Sequence, residues 1–246
     1  MELLPGMSLE EIVEKHGPMP PERVVHLLRQ ICGALHEAHA VGLIHRDIKP
    51  ANIFAARRGG VQDVAKLLDF GLVKEGSEKS GGSATRIGSF SGTPLYMSPE
   101  QAAAYEDVDG RADIYSLGAV AYYLLTAHPP FSSRNVVELL KAHRNAEVPP
   151  PSGLTAGIPP DLERIVVQCL AKSPADRYQD VVGLRHAFEQ CSVANNWGAE
   201  QADEWWQTRA ERSPTSAFAT SPIDATVDSQ QTTPIIDAEE NEQEGV

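Results

Sequence analysis

Three short segments hold most of the side chains able to do chemistry. The first, Ile44-His45-Arg46-Asp47-Ile48-Lys49-Pro50-Ala51-Asn52, places a carboxylate, an ammonium and a carboxamide within one short stretch. The second, Leu68-Asp69-Phe70-Gly71, adds a carboxylate 22 residues after Asp47. The third is Gly92-Thr93-Pro94-Leu95-Tyr96-Met97-Ser98-Pro99-Glu100. Carboxylate and amide oxygens suit hard cations such as Mg2+, and an ammonium among them offsets phosphoryl charge. Chemistry at a phosphoryl group is therefore the class to weigh. A metal-dependent phosphatase or nuclease built on Asp/His pairs accounts for the first segment and leaves the second and third unexplained.

In order and spacing the three segments resemble the catalytic loop, the metal-binding motif and the activation-segment end of the eukaryotic-type (Hanks-type) protein kinases. Asp113-Ile114-Tyr115-Ser116-Leu117-Gly118 and Pro174-Ala175-Asp176-Arg177 resemble two later motifs of that family. The wording from His39 to Ile53, and from Pro159 to Tyr178, is most similar to its bacterial serine/threonine members. The resemblance implies a mostly α fold with short β-strands, ATP with Mg2+ (or Mn2+) as cofactors, and protein substrates with Ser or Thr acceptors.

It also implies roles. Phosphoryl transfer needs positioned charge more than covalent help. Asp47 would accept the proton of the substrate hydroxyl, and Lys49 would neutralise the γ-phosphate. Asn52 and Asp69 would hold the metal, with Asp69 bridging it to the β/γ oxygens and Gly71 allowing a sharp turn beside it. Thr93 would bond Asp47 and Lys49 and help place the acceptor; Lys49 and the Gly92-Thr93 pair favour Ser/Thr over Tyr. Met1 to Gly6 resembles the hinge between kinase lobes, so the backbone of Glu2 and Leu4 would bind adenine above a floor of Leu9, Ile53 and Phe54. Arg46 would receive a phosphate carried by Thr85, Ser89 or Ser91. His45 is expected to be structural, Asp113 to cap the catalytic-loop amides, and Glu100 with Arg177 to form a buried pair. Ser8 and Ala51 are not acidic, which disfavours a preference for Arg before the acceptor.

Only 46 residues precede Asp47, and they contain neither a G-x-G-x-x-G loop nor a V-A-x-K strand. Val64-Ala65-Lys66 imitates the latter, but lies three residues before Asp69, so Lys66 is expected to face solvent. The expectation is a kinase large (C-terminal) lobe from a truncated or internally started product, with little phosphate transfer by this chain alone. The alternative function is a noncatalytic lobe serving as an interaction module, whose partner is another kinase molecule or a separate N-lobe.

The elements that must position these residues are legible in outline. Ser8-Leu9-Glu10-Glu11 is a capping box opening a short helix to about His16. Pro20-Pro21 opens a second helix with Val24, Leu28, Ile31, Leu35 and Ala38 on one stripe. Leu43-Ile44, Ile53 to Ala55, and Val64 to Leu68 read as short strands. Of the 17 residues from Gly76 to Gly92, 11 are Gly, Ser or Thr, which predicts a long functional loop. Arg111 to Thr126 is apolar nearly all round and predicts a central buried helix. Further helices are expected over Asn135 to Arg144, Pro160 to Ala171 and Tyr178 to Gln190.

The chain has 246 residues and a formal net charge of −13. Residues 193–246 carry 11 acids and two arginines, so most of that charge lies in a stretch rich in Ser, Thr, Gln and Asn. The resulting division is a partial kinase domain over 1–192 and a disordered acidic tail over 193–246, in which Trp197, Trp205 and Trp206 read as stray aromatics, with docking back on the domain or on a partner as the alternative. The acidity argues against nucleic acid as partner, no apolar run is long enough for a membrane segment, and three scattered cysteines fit a reducing cytoplasm.

Overall fold

The computed structural model describes residues 5–68, 94–105 and 107–210. Strand β1 (Gly6–Ser8) ends on the N-cap of α1 (Leu9–His16). The capping box is reciprocal: the Glu11 amide donates to Ser8 Oγ at 3.2 Å, and the Ser8 amide donates to Glu11 Oε2 at 2.9 Å. Helix α2 (Pro21–Ala40) starts on a proline and buries Val24, Leu28, Ile31 and Leu35 completely. A 3-10 turn at Pro50–Asn52 leads into β2 (Ile53–Arg58). Gly59 and Gly60, with φ of 59° and 82°, make the two-residue turn to β3 (Val61–Leu67). The sheet order is β1-β2-β3, antiparallel throughout, with Ser8 opposite Phe54 and Ile53 opposite Leu67.

The strand expected at Leu43-Ile44 is absent among the described residues. The Leu43 amide instead closes the end of α2 on Ala38 O, and beyond Ile44 the His45 and Arg46 amides turn inward to the buried Asp113 carboxylate.

The helical half consists of α3 (Pro99–Ala102), α4 (Arg111–Thr126), α5 (Val136–Asn145), α6 (Pro160–Cys169) and α7 (Val181–Glu189). Helix α4 is the central one, buried from Ala112 through Tyr122. Gly118 sets its closest approach to α6, because a Cβ there would lie 2.5 Å from Cys169 Cβ. Asn135 and Asp180 cap α5 and α7 with their side chains.

The tail assignment is corrected over 193–210. An additional helix, α8 (Ala199–Ala210), follows α7 and packs on β3. Ala194, Trp197, Ala202, Trp205 and Trp206 are all buried. The three indoles supply the apolar area that the polar residues around them do not, and this offsets the ordering entropy. The folded part thus passes residue 192 and reaches at least residue 210. The rest of the acidic stretch, 211–246, lies outside the described residues, as does the Gly/Ser/Thr-rich loop.

Candidate active site

Asp113 on the first turn of α4 organises the site from below. Its Oδ2 accepts the His45 amide at 2.9 Å, its Oδ1 accepts the Arg46 amide at 2.9 Å, and His39 Nε2 lies 2.8 Å from Oδ2. These bonds hold Arg46 at a φ of 63°, a conformation that a residue with a Cβ adopts only under constraint. Gln101, at N3 of α3, adds a bond to Arg46 O at 2.9 Å. The loop is therefore tied to α4 on one side and to α3 on the other.

Above that base the polar groups converge. Lys49 Nζ donates to Asp47 Oδ2 at 2.8 Å, and Asn52 Nδ2 donates to the same oxygen at 3.1 Å and to Asp47 O at 2.9 Å. The Asp47 side chain is 48% exposed, so it faces open surface rather than an enclosed cavity. His45 is buried, takes the Asp47 amide on Nδ1 at 3.3 Å and sets Nε2 3.3 Å from Leu68 O. The Leu68 amide in turn donates to Asn52 O at 2.8 Å, joining the end of β3 to the same loop.

The remaining sequence candidates fall into three groups. Arg46 is exposed, and Phe54 and Lys66 are half-buried, so Lys66 only partly faces solvent. Leu9 and Ile53 have no exposed surface and belong to the core. Glu2, Leu4, Asp69, Thr85, Ser89, Ser91 and Thr93 lie outside the described residues. Among the described residues no group of three or more His, Cys, Asp or Glu could hold a metal. The donor set nevertheless suits a hard cation: the side-chain bonds of Asn52 use Nδ2, leaving the side-chain oxygen available beside the Asp47 carboxylate.

Glu100 and Arg177 form a bidentate pair, with Nη1–Oε1 at 2.7 Å and Nη2–Oε2 at 2.8 Å. Arg177 also donates to Ala171 O, Arg111 O and Lys172 O at 2.8, 2.9 and 3.0 Å. The charge of Arg177, after burial as the main cause, helps push the half-buried Lys172 down to about 8. A second buried pair joins α2 to β3. Arg23 Nε and Nη2 each reach Asp63 at 2.8 Å, and Trp197 and Trp206 donate to the same carboxylate. Sequence reasoning ranked docking of the indoles second and missed Arg23 and Asp63 as the groups that receive them. Three tryptophans within ten residues were the signal, set against a background too polar to fold without a partner surface.

A helical lobe whose central helix holds a catalytic-type loop by two amides, with Asp, Lys and Asn side chains joined above it, has the protein-kinase-like fold. Residues 1–189 match the model for the protein kinase domain, and the chain belongs to that family. It is 42% identical over 189 residues to serine/threonine-protein kinase Pkn1 of Myxococcus xanthus, covering 77% of this chain and 27% of that protein. It is 41% identical to PknL of Mycobacterium tuberculosis over 75% of this chain and 44% of PknL. Among solved structures, Rad53 residues 1–466 in complex with AMP-PNP is similar at a TM-score of 0.61 and 26% identity, over 76% of this chain and 45% of that one. The chain thus spans less than half the length of these relatives.

Proposed function

We propose that this chain carries the catalytic lobe of a serine/threonine protein kinase, which transfers the γ-phosphate of ATP to Ser or Thr of protein substrates. The observation that carries the reading is the Asp47–Lys49–Asn52 triangle, closed at 2.8 and 3.1 Å on a loop fixed by Asp113. In it Asp47 accepts the hydroxyl proton, and Lys49, already beside that carboxylate, meets the γ-phosphate. Asn52 offers its carbonyl oxygen to Mg2+, with Asp69 as the second ligand, and the ion supplies charge neutralisation at the β/γ oxygens when bound. Thr93 places the acceptor. Phe54 gives the apolar floor for adenine, backed by Leu9 and Ile53, with the backbone of Glu2 and Leu4 alongside.

Arg46, exposed beside Asp47, is placed to receive a phosphate from Thr85, Ser89 or Ser91. Relatives that are themselves serine/threonine kinases, at 41–42% identity, support the acceptor class. Three free, buried cysteines accord with a reducing cytoplasmic setting. Among the described residues no helix is long and apolar enough to cross a membrane.

Titration of the chain with ADP, with and without Mg2+, tests the site directly. Mg2+ is expected to tighten binding by about tenfold, and Asn52→Ala to abolish that gain. A chain that binds ADP equally with and without Mg2+ refutes the metal site and leaves only an interaction module.

A further inference from the structure

Asp63 sits near the start of β3 at a φ of 52°, beside the irregularity that interrupts the β2–β3 ladder between Ala56 and Arg58. Such a backbone persists only where its surroundings over-determine it. Here they do. The fully buried carboxylate accepts four hydrogen bonds, two from Arg23 at 2.8 Å, one from Trp206 Nε1 at 2.8 Å and one from Trp197 Nε1 at 3.0 Å. Trp205 completes the enclosure, with its ring centre 3.6 Å from Arg23 Cζ. One pair of donors comes from α2 and the other from the segment ending in α8.

Irregularities of this kind pin strand register, and register decides what stands at the far end of the strand. The far end of β3 is the active site. Leu68, five residues after Asp63, donates to Asn52 O at 2.8 Å and offers its own carbonyl to His45 Nε2 at 3.3 Å. A slip by one residue would turn every side chain of β3 to the opposite face and break both contacts. The strand thus carries constraint from a buried ionic cluster to the loop that bears Asp47 and Asn52.

We propose that Asp63, Arg23, Trp197 and Trp206 form a positioning cluster that fixes the register of β3 and thereby holds Asn52 in place for the metal. On this view α8 is a working part of the catalytic lobe. The four residues touch neither nucleotide nor metal; they act through β3. The proposal rests on the reading of Asn52 as a metal ligand.

Trp206→Phe in the full chain keeps an aromatic ring, though a smaller one, and removes one donor; Asp63→Asn is the harsher variant. Three quantities are read: ADP affinity without Mg2+, ADP affinity with Mg2+, and hydrogen exchange at the Leu68 amide. The expected result is unchanged affinity without Mg2+, loss of the roughly tenfold Mg2+-dependent gain, and exchange at Leu68 about tenfold faster. Equal loss of both affinities, as general loosening would cause, or no loss of either overturns the proposal. If the unmodified chain shows no Mg2+-dependent gain, the kinase reading fails, and the exchange measurement decides the anchor separately. Faster exchange at Leu68 with the amides of α2 unchanged supports it, and unchanged exchange at Leu68 overturns it. Should Asp63→Asn not fold, Trp206→Phe decides alone.

Discussion

Arg177 with Glu100 and Arg23 with Asp63 are both bidentate, both buried, and within 0.1 Å of each other in length, at 2.7–2.8 Å. They are completed in opposite ways. Arg177 spends its remaining donors on three backbone carbonyls, two of them only five and six residues away along the chain. Around Arg23 the surplus lies on the acid: Asp63 gains two indole donors, while Arg23 Nη1 has no hydrogen-bond partner and the guanidinium lies on Trp205. The indoles come from 134 and 143 positions away in sequence. The first pair is finished by backbone carbonyls, two of them local to Arg177; the second is finished by side chains of a segment more than 130 residues further on. A buried ion pair is weak evidence for net stability, because desolvation cancels much of its attraction. What the two pairs fix is geometry, one at the activation-segment end and one at the start of β3.

The largest effect that separates them is truncation of the arginine. Arg177→Ala strands the Glu100 carboxylate and leaves three carbonyls without their donor, and is expected to cost about 4 kcal/mol. Arg23→Ala leaves Asp63 with both indole donors, so its expected cost is smaller, about 3 kcal/mol. Urea unfolding of the two variants measures the order. Equal costs, or a larger loss at Arg23, would break the contrast between carbonyl-closed and indole-closed pairs.

Acid distinguishes the two regions next. His143 on α5 is buried, with Nδ1 2.9 Å from the Tyr115 hydroxyl, and the Tyr115 ring centre lies 5.0 Å from Arg177 Cζ. Burial first, and the charge of Lys172 second, hold this imidazole down to about 4 from an ordinary 6.5. Because the folded pKa is depressed, the unfolded chain takes up a proton below pH 6.5 while the folded lobe stays neutral until about pH 4. Stability therefore falls across that window and levels off below it, by as much as about 3 kcal/mol. His143→Gln should flatten this part of the profile. An unchanged slope between pH 6.5 and 4 in that variant would place the acid sensitivity elsewhere.

Legibility in the sequence followed the same division. Helix α1, opened by its capping box, and the all-round apolar α4 were readable because caps and hydrophobic pattern are local signals. Expecting Asp113 beneath the loop, and Glu100 opposite Arg177, required motifs whose spacing carries tertiary information. Leu43-Ile44 looked like a strand by composition, yet the Leu43 amide serves the end of α2 and the following His45 and Arg46 amides serve Asp113, a choice that only the fold makes. The Trp segment misled for the converse reason. Residues 193–210 are polar on average, and the partners that fold them, Arg23 and Asp63, lie far away in sequence. Nothing local marks Asp63 as buried: it follows Gly59-Gly60 and Gln62 in what reads as an exposed hairpin.

The smallest expected effect is also the sharpest probe of how β3 is held. Gln30 on α2 bridges the same stretch through neutral bonds, with Nε2 donating to Asp63 O at 3.0 Å and Oε1 accepting the Ala65 amide at 3.0 Å. If backbone bracing by Gln30 set the register, its loss would loosen the strand as much as loss of an indole donor. If the carboxylate cluster sets it, Gln30→Leu removes only three neutral, half-buried bonds that water can replace, the third running from Nε2 to His26 O at 3.3 Å. The expected cost is then about 1 kcal/mol, with exchange at the Leu68 amide unchanged. Unfolding and amide exchange on this variant give both numbers. Exchange at Leu68 as fast as in Trp206→Phe would move the anchor of β3 from the ionic cluster to the amide bridge.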